Sequence, residues 1–145
     1  MKPIAIFLVC LLAFGCSPRS PVEDAKAVIT AHENFVASEN LDGILSNTAD
    51  DIVVLVSGMP LIKGKQGVRD FYAGMFKAGK SQFIHEYQGS DVVGDAAILY
   101  GTAKGSLTKP DSTVVQFANN FILAFRYQAD GKIKFWRVAF APSSQ

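Results

Sequence analysis

Hydrophobic and polar positions divide this chain into three parts with different periods. From Ile4 to Phe14 the residues are apolar without interruption. From Val22 to Phe76 apolar residues recur mainly at helical spacing, broken by one short run of strand character. From Gln82 to Ala141 they alternate with polar residues, the period of an extended strand. The order is therefore leader, helices, then sheet.

The first helix is predicted over about Val22 to Asn40. Ser20-Pro21 sets a capping hydroxyl before a proline in the first turn, and Glu23 and Asp24 suit the positive end of the helix dipole. Its apolar stripe is Ala25, Val28, Ile29, Phe35 and Val36, with His32 lying on the same stripe. A shorter helix over Leu41 to Thr48 turns Leu41, Ile44 and Leu45 inward. Asp50-Asp51 is expected to turn the chain into the strand IVVLV, residues 52–56, and so continuous an apolar run predicts cover on both faces. Ser57-Gly58-Met59-Pro60 turns it back into Leu61-Ile62. Gly64 opens a third helix with the stripe Val68, Phe71, Tyr72, Met75 and Phe76, and Gly79 ends it.

Four strands follow. Residues 82–93 place Phe83, His85 and Tyr87 on one side and Ile84, Glu86 and Gln88 on the other. Gly94-Asp95 turns into 96–107, and Thr108-Lys109-Pro110-Asp111 into 113–127. There Asn119, Phe121, Leu123 and Phe125 oppose Asn120, Ile122, Ala124 and Arg126. Asp130-Gly131 is a strong hairpin signal leading into 132–141. Helices followed by a four-strand antiparallel meander describe an α+β domain, with helices on one face of a curved sheet. The other face is left for a second copy of the chain.

Composition narrows the function. The chain has 145 residues, 49% hydrophobic and 19% charged, with eleven Phe, four Tyr and one Trp, enough for one domain with a real core. The formal charge is +1, and losing Lys2 with the leader brings it to near neutral, so no basic field holds phosphates and no nucleic-acid partner is expected. The leader's apolar run of 11 residues falls short of the roughly 20 that span a bilayer as a helix. Ala13-Phe14-Gly15-Cys16 resembles the lipobox of a bacterial lipoprotein, which implies a signal peptide over 1–15 and a lipid on Cys16. Residues 16–21 then form a tether, 22–141 the domain and 142–145 a loose end. Ser17 after Cys16 implies the outer membrane of a Gram-negative cell, facing the periplasm. The alternative is an ordinary signal peptide cut near Gly15, with Cys16 a spare thiol. Cys10 lies in the leader, so the mature chain cannot form an internal disulfide.

The segments FVASENLDGIL, TADDIVVL, LIKGKQGVRDFY, AFRYQADGKI and FWRVAF occur in that order across nearly all of Ala25 to Phe140. Together they resemble the nuclear transport factor 2-like superfamily, particularly its SnoaL-like and ketosteroid-isomerase-like branches. The resemblance implies a cone-shaped, cystatin-like half-barrel with a pocket between the concave sheet and the helices, often in a dimer. Such folds host isomerases, dehydratases, cyclases and binding modules, so fold alone leaves function open. Ketosteroid isomerases use a carboxylate base and an oxyanion hole made of a Tyr and a protonated Asp. Laid over the matched segments, the base falls on Val56, the Asp on Leu123 and the Tyr on His32. Val takes no proton and Leu donates none, so isomerase activity by that mechanism is not expected.

Few chemical groups remain. His32 is the leading candidate, as a hydrogen-bonding group or as an acid or base with a pKa of about 6.5 if unperturbed; the alternative is a buried, satisfied histidine. His85 faces either the cavity or a partner copy. Two His without a spaced acidic or Cys cluster predict no metal site, and no cofactor is expected. Lys63-Gly64-Lys65-Gln66-Gly67 reads as a capped helix start, since it lacks the length and ending of a phosphate loop. Tyr72, Tyr87, Tyr100 and Trp136 read mainly as aromatic packing. The expected ligand contacts are His32, Phe35, Val56, Phe71, Tyr72, Met75, Phe121 and Leu123. These readings predict a lipid-anchored envelope protein whose aromatic-lined pocket binds a small apolar or amphipathic molecule without catalysis. The alternatives are a SnoaL-like cyclase, dehydratase or isomerase using His32, and a structural module that dimerises through its sheet.

Overall fold

The structure, a computed structural model, describes residues 20–143. The expected signal peptide, the lipidated Cys16 and most of the tether lie outside the described residues. Helix α1 (Pro21–Ala37) starts as its sequence dictates: the Ser20 side chain accepts from the Glu23 amide, and Pro21 occupies the first turn. It stops three residues before Asn40 because Ser38 Oγ donates to the Asn34 carbonyl at 2.7 Å and Glu39 adopts a φ of 55°. Asn40 then caps α2 (Leu41–Ser46) by accepting from the Gly43 amide at 2.9 Å. Gly43 lies against Phe35: a Cβ there would lie 2.6 Å from its ring.

The sheet has six strands: β1 (Thr48–Val56), β2 (Ile62–Lys63), β3 (Lys80–Val93), β4 (Ala96–Thr108), β5 (Val114–Tyr127) and β6 (Ile133–Pro142). Their spatial order is β2-β1-β6-β5-β4-β3. The meander β3 to β6 is antiparallel as expected, but β1 adds to it parallel to β6. Helix α3 (Gly64–Ala78) joins β2 to β3 and packs on β1. Ile29 and Val36 of α1 meet Ile44, Leu99, Leu123 and Phe125 in a fully buried core. Each such side chain contributes about 1.5–3 kcal/mol by leaving water.

Three local expectations are corrected. Asp50-Asp51 is no turn; it lies inside β1, which begins at Thr48. The register against β6 is irregular there, with Thr48 opposite Phe135 and Val53 opposite Arg137, and the bulge turns both carboxylates outward. Asp51 is held there by Trp136 Nε1 at 3.1 Å and Arg126 at 3.3 Å, and its carbonyl accepts from Arg137 at 2.9 Å. The two guanidinium groups lie over the Trp136 ring at 4.5 and 4.2 Å. Second, the IVVLV strand is covered on one face only: Ile52 and Val54 are buried while Leu55 is 54% exposed. Third, the start of α3 carries no side-chain cap, because Lys63 has no acceptor to offer. Lys65 instead pairs with Asp50 at 2.8 Å.

The outer face of the sheet carries an apolar row set by register. Leu55 lies opposite Ala139, Ala139 opposite Ile122, and Ile122 opposite Tyr100. Leu55 and Ile122 are more than half exposed. Tyr100 lies over Gly89, where a Cβ would strike its ring.

Candidate functional site

Between the concave face and the helices lies a cavity of about 270 Å³. The sheet contributes alternate residues of each strand, because only every second side chain points inward. Val54 and Val56 come from β1, Phe83 and His85 from β3, Leu123 from β5 and Val138 from β6. Helix α1 supplies His32, and α3 supplies Phe71, Tyr72 and Met75, spaced so that one helical face is presented. The wall is mainly apolar, with Thr48, Ser81, Asn119, Tyr72 and the two imidazoles as its polar points.

Six of the eight expected contact residues reach this wall: His32, Val56, Phe71, Tyr72, Met75 and Leu123. Phe35 and Phe121 do not, and those two expectations are corrected. The Phe35 ring points towards α2, against Gly43. Phe121 points inward but lies behind the His85 ring, with centroids 4.9 Å apart and planes at 78°. It supports the wall from behind.

His32 is buried, and its Nε2 lies 2.8 Å from the Tyr72 hydroxyl. Its Nδ1 is sealed with no hydrogen-bond partner. Burial, helped by the nearby His85 charge, pushes the His32 pKa down to about 3, so the ring is neutral at ordinary pH. Burial also raises the Tyr72 hydroxyl well above its usual range. The pair is a neutral hydrogen bond with no readily ionised member.

His85 differs. Its side chain is nearly inaccessible, yet Glu33 Oε1 accepts from both its backbone amide and its ring Nδ1, each at 2.8 Å. Burial lowers the His85 pKa, while the Glu33 hydrogen bond and charge partly offset that effect. The ring belongs to the cavity wall, which decides between the two orientations left open by the strand pattern. The only signal Glu33 gives in the sequence is its place beside His32 on α1. No group of His, Cys, Asp or Glu among the described residues is arranged to hold a metal ion.

Comparison with known proteins adds the following. The profile of a family described as "SnoaL-like domain" matches residues 29–136. No curated protein matches the chain. Among solved structures, a ketosteroid isomerase-like protein from Erwinia carotovora atroseptica superposes with a TM-score of 0.75 at 17% identity, covering 88% of this chain and 100% of that one. A nuclear transport factor 2-like superfamily protein from Salmonella enterica serovar Typhimurium gives 0.77 at 10% identity, over 86% and 92% of the two chains. A cystatin-like protein of unknown function from Nostoc punctiforme gives 0.67 at 13% identity, over 86% and 92%. At such identities the likeness concerns the fold alone.

Proposed function

The chain belongs to the SnoaL-like domain family of the nuclear transport factor 2-like superfamily, and from that premise we propose that it binds a compact apolar or amphipathic molecule in its cavity. The observation that carries this reading is the cavity itself: apolar walls with a few convergent polar atoms are the usual make-up of a small-molecule site. Its volume sets the ligand's size. A cavity of about 150 Å³ takes a benzene ring, so about 270 Å³ suits roughly ten non-hydrogen atoms, or one to two fused rings. Val56 and Leu123, matched by resemblance to the isomerase's proton-handling positions, present only aliphatic groups to that ligand.

A fragment screen of planar one- and two-ring compounds by amide NMR tests the reading. Binders are expected to shift the resonances of His32, Tyr72 and Leu123 together. A screen in which no fragment moves them would sink it.

Two further elements are proposed. The outer-face row of exposed Leu55, Ile122 and Tyr100 with half-buried Ala139 between them supports a homodimer through that face of the sheet. The lipobox-like Ala13-Phe14-Gly15-Cys16 supports attachment to the bacterial envelope through a lipid on Cys16. Expressed in a Gram-negative host, the full chain should fractionate with membranes and Cys16→Ser should not; equal partitioning of the two would end that proposal.

A further inference from the structure

One end of the domain carries the first turn of α1 and the tips of both long hairpins. Tyr127, at the close of β5, donates to Asp24 of α1 at 2.6 Å. Its neighbour Arg126 lies opposite Ala96, and Ala96 lies opposite Val93. Ser20, which caps α1, therefore stands at the same end as the turn joining β3 to β4. The two hairpin tips differ in character. The β5–β6 tip is polar, as turns usually are, with Gln128, Asp130 and Lys132. The β3–β4 tip carries Val92 and Val93, which are 53% and 63% exposed. Gly94 beyond them has a φ of 61°, and a Cβ there would meet nothing within 4 Å.

Single exposed apolar residues are ordinary on a protein surface, but the geometry of this pair selects its partner. Adjacent strand residues point to opposite faces, so Val92 and Val93 flank the tip on both sides. A flat protein surface covers one of them, whereas a fluid apolar phase takes in the whole tip and covers both. Charge adds no competing attraction: around the two tips Asp91, Asp95 and Asp130 are balanced by Arg126, Lys132 and Lys134. The chain itself supplies the proximity. Four peptide steps separate Cys16 from Ser20, and fully extended they reach about 14 Å. Helix α1, with 17 residues, is about 25 Å long. A lipid on Cys16 thus keeps the Ser20 end of the domain at the membrane while leaving its tilt free.

We propose that the β3–β4 tip enters the bilayer surface beside the lipid on Cys16, giving the domain two points of attachment and one orientation. The inference rests on the lipid attachment proposed above and goes beyond it. The lipid sets the height of the domain, and the two valines set its tilt. The cavity then faces away from the bilayer. Its half-buried lining residues Val56, Phe117, Asn119 and Phe140 lie towards the opposite ends of β1, β5 and β6, with Val56 paired to Phe140. A ligand that enters between them comes from the aqueous compartment and not from the lipid.

The test places an environment-sensitive nitrobenzoxadiazole on Val93→Cys of the full chain, expressed in a Gram-negative host and transferred to phosphatidylcholine vesicles. With Cys10 lost in the leader and Cys16 blocked by its lipid, the new thiol takes the label. Its emission on vesicles should be about threefold brighter than that of the same label on Met59→Cys, in the β1–β2 turn at the other end of the domain. Vesicles with nitroxide-bearing acyl chains should quench the Val93 label and spare the Met59 label. Adding Val92→Asp to the labelled chain should lower the ratio of inserted to free tip about tenfold, because a buried valine is lost and a charge gained. Both substitutions fall on exposed positions, so folding is not at stake. A Val93 label that stays dim and unquenched on chains that float with the vesicles overturns the proposal and leaves the lipid anchor standing. A bright label that nitroxide lipids do not quench means that a second copy of the chain covers the tip, and the proposal falls. If the chain does not float with the vesicles at all, the proposal falls together with the anchor.

Discussion

The Nε2 of His32 and the hydroxyl of Tyr72 lie 2.8 Å apart, tying α1 to α3 across the cavity. This bond explains why two imidazoles on one cavity wall differ in kind. His32 has one nitrogen against the tyrosine and the other sealed, so it holds two helices together. His85 is held by a carboxylate, one oxygen of which accepts from both its backbone amide and its ring Nδ1.

Tyr72→Phe keeps the ring and removes only the hydroxyl, leaving both nitrogens of His32 without partners. Loss of one partner of a buried pair costs about 1–3 kcal/mol. Urea unfolding should therefore show a lower midpoint at unchanged slope. A change of only a few tenths of a kcal/mol would mean that water replaces the hydroxyl and the bond is no staple.

Acid should weaken the fold before any carboxylate is protonated. The His32 pKa falls to about 3 on folding, below its unfolded value of 6.5. Between those values the unfolded chain binds a proton that the folded chain refuses, so stability is full above pH 6.5 and declines as pH falls towards 3. His85 is lowered in the same direction and adds to the slope. Thermal melts between pH 7 and 5, a range in which the carboxylates scarcely titrate, should show a falling midpoint, and His32→Leu should flatten it. A slope unchanged by that substitution would refute the assignment.

How far these features could be read beforehand depends on whether their cause was local. The cap at Ser20, the Asp130-Gly131 hairpin and the alternation from Phe83 to Tyr87 all act within a few residues, and the strands of the meander matched their expected bounds to within two residues at either end. The parallel pairing of β1 with β6 joins residues more than eighty apart, and no local pattern reports it. For the same reason Asp51 read as a turn: its partners Arg126, Trp136 and Arg137 arrive from the far end of the chain. The site divided along the same line. Tyr72 and Met75 were legible from the α3 stripe, but Phe35 and Phe121 share stripes with cavity residues and only packing sends them elsewhere. Glu33 was invisible because its role depends on His85, fifty-two positions away.

Ile122 lies mid-row on the outer face, opposite Tyr100 on one side and Ala139 on the other, and is 57% exposed. If two sheets meet there, a lysine would bring an unpaired charge into the centre of the contact. Ile122→Lys should weaken self-association about tenfold or more, equivalent to about 1.4 kcal/mol. Sedimentation equilibrium at micromolar concentration would read it. A wild-type chain that sediments as a monomer would dispose of the dimer outright.

Val56 and Leu123 separate the cavity's binding role from its structural one. Leu123 is fully buried and continuous with the core, so Leu123→Ala removes packing the fold depends on and should cost about 2–5 kcal/mol. Val56 is only partly buried and borders empty space, so Val56→Phe adds a ring where there is room for one. Overpacking a filled core costs about 1–3 kcal/mol, whereas filling a void should cost less than that or stabilise. The Phe variant should therefore melt near the wild type while any cavity-bound fragment loses most of its affinity. Calorimetric titration beside thermal melts would separate the two effects. A fragment that binds Val56→Phe as tightly as the wild type must sit outside this cavity, and the proposed site would then be wrong.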